Sequence, residues 1–367
     1  MVQGLITNTD MNQNNELIYE SLSKKVAEQF FSRNCDQREL KYSQLEINNF
    51  SICFGIDTSS IGTKGVYVKI PKVDLYLKNS NIFPLTEEDK RFADQEYQSL
   101  RYLAQYWKAD DLGISFIKVL GFLREYNAIV TEKIFAKDIY REFRKIDLLN
   151  KCGNNGVSDY MRDFISRFGI ALSRFHNIKK QESVFEAGSL ILKIEKYCGR
   201  LKSFKICNYL IDQVLIGVRK LLDYSAPTFK TITLKGLDLR NIFIDCDRHI
   251  YLLDPGAMKN DYREADLARF IVTLRLLYWG SPWFFLQFSA NKTYEGNLLR
   301  GYNDTDNLKV DNKILSAYIL KELLKHWHMA YVILNLKPWP LSVKRFLRYS
   351  YIDPFYNKQI KAVMLDI

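Results

Sequence analysis

The alternation of apolar and polar positions changes period twice within the first 110 residues. Phe50-Ser51-Ile52-Cys53-Phe54 alternates, a turn-rich segment follows from Asp57 to Gly65, and Val66 to Ile70 alternates again before Pro71. This pattern predicts two strands, with Val66 and Val68 on one face and Tyr67 and Lys69 on the other. From Glu87 to Lys108 the spacing becomes helical, and Ala93, Glu96, Leu100, Leu103 and Trp107 form one stripe. Glu96 therefore falls among apolar residues, where an unpaired carboxylate is costly. It needs a cation, and Lys69 is the natural partner, although a strand lysine alone is ordinarily solvated. Further strands are expected over Ile114–Leu123 and Asn127–Ile134. An amphipathic helix is expected around Leu17–Phe31. Another should run from Asp159 to Asn177 behind a Ser158 cap, with Met161, Phe164, Phe168, Leu172 and Phe175 on its apolar face. Residues 184–229 read as mainly helical. The chain beyond Asp266 reads as helical again, with Trp279 and Trp283 near a proline-containing break.

The stretch from Lys235 to Ala268 carries the candidate chemistry. Asn241 precedes the apolar run Ile242-Phe243-Ile244, a polar turn spans Asp245 to His249, and Ile250 to Leu253 leads into Asp254-Pro255-Gly256. A short hairpin of this kind brings an amide oxygen and a carboxylate to the same end of the molecule. Such hard oxygen ligands suit Mg²⁺ held with the phosphates of a nucleotide.

Composition narrows the class. A chain of 367 residues with 47% hydrophobic content is long enough for two lobes, each with a core. The net charge of +11 suits an anionic ligand or surface, but the 53 Lys and Arg include no run of five, so an ordinary basic exterior explains it equally well. No nucleic-acid-binding motif accompanies the charge, and no nucleic acid partner is expected. The six cysteines form no C-x-x-C pair and read as reduced thiols. Met1–Glu16 is polar, without the look of a secretory signal, and the apolar stretch Phe270–Phe288 is broken by Arg275 and Gly280-Ser281-Pro282. A soluble, cytoplasmic protein is expected.

The Lys235–Ala268 segment resembles the catalytic core of the aminoglycoside and choline phosphotransferase type of kinase. That family reads H-G-D-x-x-x-x-N, a hairpin, D-[FP]-G, then D-L-A opening a helix. Here Asn241 and Asp254 stand 13 residues apart, and Asp254 and Asp266 of Asp266-Leu267-Ala268 stand 12 apart. The family's E-x-x-x-L-x-x-L helix is similar to Glu96, Leu100 and Leu103, and Phe168 to Ile178 resembles the L-x-x-L-H helix, with His176 structural. Leu298–Tyr302 resembles the later F-x-x-x-Y segment. The resemblance spans residues 50 to 305.

It implies an α+β, bilobal protein-kinase-like fold with a small antiparallel-sheet N-lobe and a larger, mainly helical C-lobe. The expected layout is an N-terminal extension over 1–40, the N-lobe over 41–134 and the C-lobe over 135–367. It implies ATP and Mg²⁺ as cofactors. Lys69 would grip the α- and β-phosphates and Glu96 would aim it. Asn241 and Asp254 would hold the metal, and Thr131-Glu132-Lys133, with Glu132 at its centre, stands where kinases bind adenine. No G-x-G-x-x-G loop is present; Gly55, Gly62 and Gly65 read as turn residues.

The catalytic loop departs from the pattern. Five residues before Asn241 stands Gly236, where the family has its catalytic aspartate; the available carboxylate is Asp238. In a loop shortened by two residues, Asp238 would accept the substrate hydroxyl's proton and Arg240 would stabilise the transferring phosphoryl group. The alternatives are a nucleotide-binding kinase-like protein that transfers phosphate poorly, and a scaffold. The reaction expected is phosphoryl transfer to a hydroxyl of a small molecule or glycan, since no A-P-E-bounded segment for peptide substrates is present. Kinases of the lipopolysaccharide core share this fold, so polysaccharide biosynthesis is one setting. The basic, aromatic segment Trp339–Lys361 would suit peripheral contact with a membrane surface.

Overall fold

The computed structural model describes residues 13–31, 40–48, 51–58, 65–73, 85–151, 158–204, 208–278, 292–305 and 308–367. The chain divides into two compact units: Met1–Asp138 with Asn241–Met258, and Ile139–Arg240 with Lys259–Ile367.

The first unit opens with α1 (Gln13–Phe30), β1 (Leu40–Tyr42), β2 (Glu46–Ile47), β3 (Ser51–Thr58) and β4 (Val66–Pro71). It continues with α2 (Glu87–Tyr106), β5 (Ile114–Phe116), β6 (Val119–Leu123), β7 (Ala128–Glu132) and β8 (Lys137–Asp138). An antiparallel sheet runs β1-β3-β4-β7-β6, with β2 beside β3. Leu22 and Val26 of α1 pack with Ile52, Phe54, Val66, Val68 and Ile70 on one face. Helix α1 thus contributes to the core of this sheet. Strand alternation turns Lys69 to the other face, between Cys53 and Ile129 in register. There α2 covers the sheet, with Leu100 against Ile129. A reciprocal capping box starts α2: the Asp89 amide donates to the Thr86 hydroxyl at 3.1 Å, and the Thr86 amide to the Asp89 carboxylate at 3.0 Å. Gly55 lies within β3, not in a turn, and Gly62 falls outside the described residues.

Along the rest of the chain run α3 (Ile139–Lys151), α4 (Ser158–Ile178), β9 (Gln181–Val184), α5 (Gly188–Ser203), α6 (Asn208–Arg219) and β10 (Pro227–Leu234). Then come β11 (Ile242–Ile244), β12 (Ile250–Leu252), β13 (Met258–Tyr262), α7 (Glu264–Arg275) and α8 (Lys292–Asn303). The last elements are α9 (Asn312–Leu336), α10 (Leu341–Leu347) and α11 (Asp353–Met364). The β11–β12 hairpin belongs to the first unit, in a sheet ordered β5-β12-β11-β8. This sheet splits the strand expected over Ile114–Leu123. Ile114–Phe116 pairs in parallel with β12, whereas Val119–Leu123 pairs with β7.

In the second unit, β9 and β10 pair antiparallel and flank α5 and α6, so the stretch read as mainly helical from 184 to 229 is bounded by strands. Helices α4 and α8 cross in close contact. A Cβ on Gly169 would lie 2.3 Å from the Leu298 carbonyl oxygen, and one on Gly301 2.1 Å from that of Ser166, so both positions require glycine. Helix α9 is buried around most of its first half, and the Asp311 carboxylate caps it by accepting from the Lys313 and Ile314 amides, both at 2.9 Å. Trp279 and Trp283 lie outside the described residues. Among the described residues no helix is long and apolar enough to cross a membrane.

Candidate active site

The face of β4 turned toward α2 carries Lys69, and the buried stripe of α2 carries Glu96, with 1% of its surface exposed. Lys69 Nζ donates to Glu96 Oε1 at 2.6 Å, the pairing that the two sequence periods call for. The same ammonium donates to Asp254 Oδ2 at 2.8 Å, a contact no periodicity foretold. One cation thus serves two carboxylates. Burial alone would lower Lys69, but Asp254 and then Glu96 outweigh it and hold the ammonium charged. Glu96 is pushed up to about 7, by burial first and by Asp254 second, with Lys69 pulling the other way. Its Oε2 is buried with no hydrogen-bond partner.

Asp254 ends the β11–β12 hairpin, in which Ile242 faces Leu252 and Ile244 faces Ile250. The Leu253 amide closes the hairpin on the Asn241 carbonyl at 2.9 Å. Beyond Asp254 the chain turns through Gly256, whose φ of 60° favours glycine and whose amide donates to Asp254 Oδ1 at 3.0 Å. The Asn241 side chain approaches the Asp254 carbonyl at 3.5 Å, so the two residues do stand at one end of the hairpin. The donor set fits Mg²⁺ bound with a nucleotide. Asp254 is 37% exposed, its oxygens each keep a lone pair beyond the Lys69 and Gly256 bonds, and Mg²⁺ fills its other positions with phosphate oxygens and water. No cluster of three or more His, Cys, Asp or Glu among the described residues would hold a metal by itself.

In the second unit, the loop after β10 carries Asp238 and Arg240, and these two bind each other. Arg240 Nε donates to Asp238 Oδ1 at 2.7 Å, its Nη2 to Oδ2, and its amide to Oδ1 at 2.9 Å. The fork holds both carboxylate oxygens. Burial would raise Asp238, but Arg240 outweighs it and keeps the carboxyl below its usual range. The Leu239 amide, donating to the Thr273 hydroxyl at 3.3 Å, fixes the loop to α7. His326 of α9 feels both Asp238 and Arg240 and is pushed down to about 4, by burial first and then by Lys325 and Arg240. No motif pointed to His326. The spacing of α9 gave it no distinction from its neighbours.

Asp266 and His176 serve as structure. Asp266 Oδ2 lies 3.2 Å from His176 Nε2 and accepts from the Leu234 amide at 2.9 Å, while His176 Nδ1 lies 2.8 Å from the Tyr302 hydroxyl. Both residues are fully buried. The motif that opens α7 therefore fixes the strand leading to the loop. In the first unit, the Glu132 amide donates to the Lys118 carbonyl at 3.0 Å and its carboxylate accepts from the Lys118 amide at 3.2 Å.

No family model and no curated protein sequence matches the chain. Solved structures do. Choline kinase LicA from Streptococcus pneumoniae superposes with a TM-score of 0.55 at 16% identity, covering 95% of this chain and 99% of that one. A choline/ethanolamine kinase family protein from Mesorhizobium loti gives 0.54 at 14% identity, over 95% and 99%. Spectinomycin phosphotransferase, solved with ADP and spectinomycin, gives 0.53 at 13% identity, over 95% and 98%. With an antiparallel sheet in its N-terminal part and a helical C-terminal part, the chain has the protein-kinase-like α+β fold of these phosphotransferases.

Proposed function

We propose that the protein is a phosphotransferase that uses ATP with Mg²⁺ to phosphorylate a hydroxyl of a small molecule or glycan. The observation that carries this reading is Lys69 held between Glu96 and Asp254 within that fold. A scaffold has no use for a largely buried lysine shared by two carboxylates, one of them with an unpartnered oxygen. Lys69 would bind the α- and β-phosphates while Glu96 keeps it extended. Asn241 and Asp254 would hold Mg²⁺, whose chemistry there is to neutralise charge on the phosphates. Glu132 marks the adenine side; with its amide bonded to Lys118, adenine contacts would fall to backbone groups beyond it. Asp238 would orient the acceptor hydroxyl and take its proton late. Arg240 would release its fork to meet the charge developing on the phosphoryl group.

The closed Asp238–Arg240 pair favours a second reading, a kinase-like nucleotide-binding protein whose transfer is slow, because both oxygens a hydroxyl would approach are already engaged. Choline and spectinomycin are what the similar proteins are named for, and a small hydroxyl-bearing acceptor is the class we adopt. A cytoplasmic setting goes with the use of ATP. Contact with an anionic membrane surface, as in polysaccharide assembly, draws support from Trp339, Leu341, Phe346 and Tyr349, all exposed near Lys337, Lys344 and Arg345.

The test is a thermal melt with Mg²⁺ and ATP. Saturation at a hundredfold excess over Kd should stabilise the protein by about 2.7 kcal/mol, and Asp254→Ala should remove the magnesium-dependent part. Mg²⁺ without nucleotide should do little. A melt indifferent to Mg-ATP through millimolar concentrations removes both readings.

A further inference from the structure

We infer that the acceptor carries an anionic group, a phosphate or a carboxylate, received by the basic cluster of Lys235, Lys259, Arg269, Lys321 and Lys325 in the second unit. The inference rests on the phosphotransferase reading and names the class of its acceptor.

The cluster is assembled by specific bonds. Arg269, on α7, donates through Nη1 to the Leu234 carbonyl and, at 3.1 Å, to Asp266 Oδ1, which sets its guanidinium against the residue before Lys235. The Thr233 hydroxyl donates to the Lys259 carbonyl at 3.2 Å, bringing β13 beside the same strand end. Glu322 of α9, 1% exposed, is the hub. Lys321 Nζ lies 2.6 Å from it, Lys325 Nζ 3.2 Å and Arg269 Nη2 3.8 Å. Arg269, Lys321 and Lys325 thus share two carboxylates, Glu322 and Asp266, and Asp266 is already bonded to the Leu234 amide and His176. Arg269 Nε is buried without a hydrogen-bond partner. Lys235 feels repulsion from Lys259, Arg269 and Lys325 together, and with burial, the larger cause, this lowers it.

A solvated basic surface spreads its lysines apart, because like charges repel and water serves each one. Here buried Glu322 draws Arg269, Lys321 and Lys325 to one point, and for Lys321 burial outweighs the pull of Glu322. An incoming anion supplies the missing negative charge. Lys235 and Lys259 are exposed and Lys325 is 38% exposed, so the surplus faces solvent. The cluster adjoins the transfer loop: Lys235 begins it, and His326, next to Lys325, feels both Asp238 and Arg240. A quaternary ammonium would meet repulsion there.

The experiment uses the full chain saturated with Mg²⁺ and a non-hydrolysable ATP analogue, which fills the positions of the nucleotide's own phosphates. Inorganic phosphate, acetate and choline chloride are titrated separately at constant ionic strength, with the melting temperature and calorimetric binding as readouts. Phosphate or acetate should bind saturably, the stronger of the two identifying the anion. Lys235→Gln and Lys325→Gln should each weaken that binding roughly tenfold. Choline should bind no better than potassium chloride. Anion binding absent, or unchanged in both variants, overturns the inference, as does stabilisation by choline. Failure of the nucleotide analogue itself to bind is a separate result that removes the phosphotransferase reading, whatever the anions do.

Discussion

Two polar clusters of this chain carry opposite charge imbalances. In the first unit one lysine is shared by two carboxylates, Glu96 buried and Asp254 partly open. In the second unit Arg269, Lys321 and Lys325 bind Glu322, Arg269 also binds Asp266, and Lys235 is repelled by Lys259, Arg269 and Lys325. A fully compensated ion pair is finished and needs no ligand, so it says little about function. An uncompensated cluster specifies the sign of its ligand. The first leaves a negative charge beside oxygen ligands, which suits a divalent cation, and the second leaves positive charge, which suits an anion. Between these extremes stands the Asp238–Arg240 pair, balanced and closed on itself.

The balanced pair gives the largest expected effect. If its fork opens during turnover, Asp238→Asn should lower phosphoryl transfer, or ATP hydrolysis without acceptor, by about 10² to 10⁴ and leave nucleotide affinity intact. Wild-type turnover in that variant would assign the pair to structure and favour the slow-transfer reading. The negative cluster is next. Lys69→Ala and Glu96→Ala should each impair nucleotide binding, and the double variant should show a coupling of about 0.5–3 kcal/mol by calorimetry. Strict additivity would mean that the two side chains act independently, against the 2.6 Å contact. The smallest effect sharpens the positive side. His326 titrates near 6.5 when unfolded and is pushed down to about 4 when folded. As pH falls from 6.5 toward 4 the unfolded chain takes up a proton that the folded one refuses, so stability drops over that window. Urea unfolding of His326→Gln should show a flatter acid limb there; an identical limb would mean that neither burial nor its cationic neighbours hold the folded histidine down.

Much of the site could be read along the chain, because the residues concerned sit on elements with a clear period. Alternation set Lys69 opposite the apolar face of β4, helical spacing set Glu96 on the buried stripe of α2, and the cost of burying a lone carboxylate joined them. The hairpin from Asn241 to Asp254 was legible for the same reason. The break at Ile117 and Lys118 was not, since an unbroken apolar run does not reveal that its two halves pair with different partners, β12 and β7. Nor did any pattern show that α1 packs on the sheet.

Local sequence thus determined which side chains each strand and helix turns inward, since period and burial are properties of neighbouring residues. The tertiary structure alone decided which charges meet: Lys69 with Asp254 across 185 positions, and Arg269 with Glu322. It also decided that Arg240 closes on Asp238 within the loop itself. Coulomb interactions depend on separation in space and on the water excluded around them, and neither quantity is written in the spacing of residues.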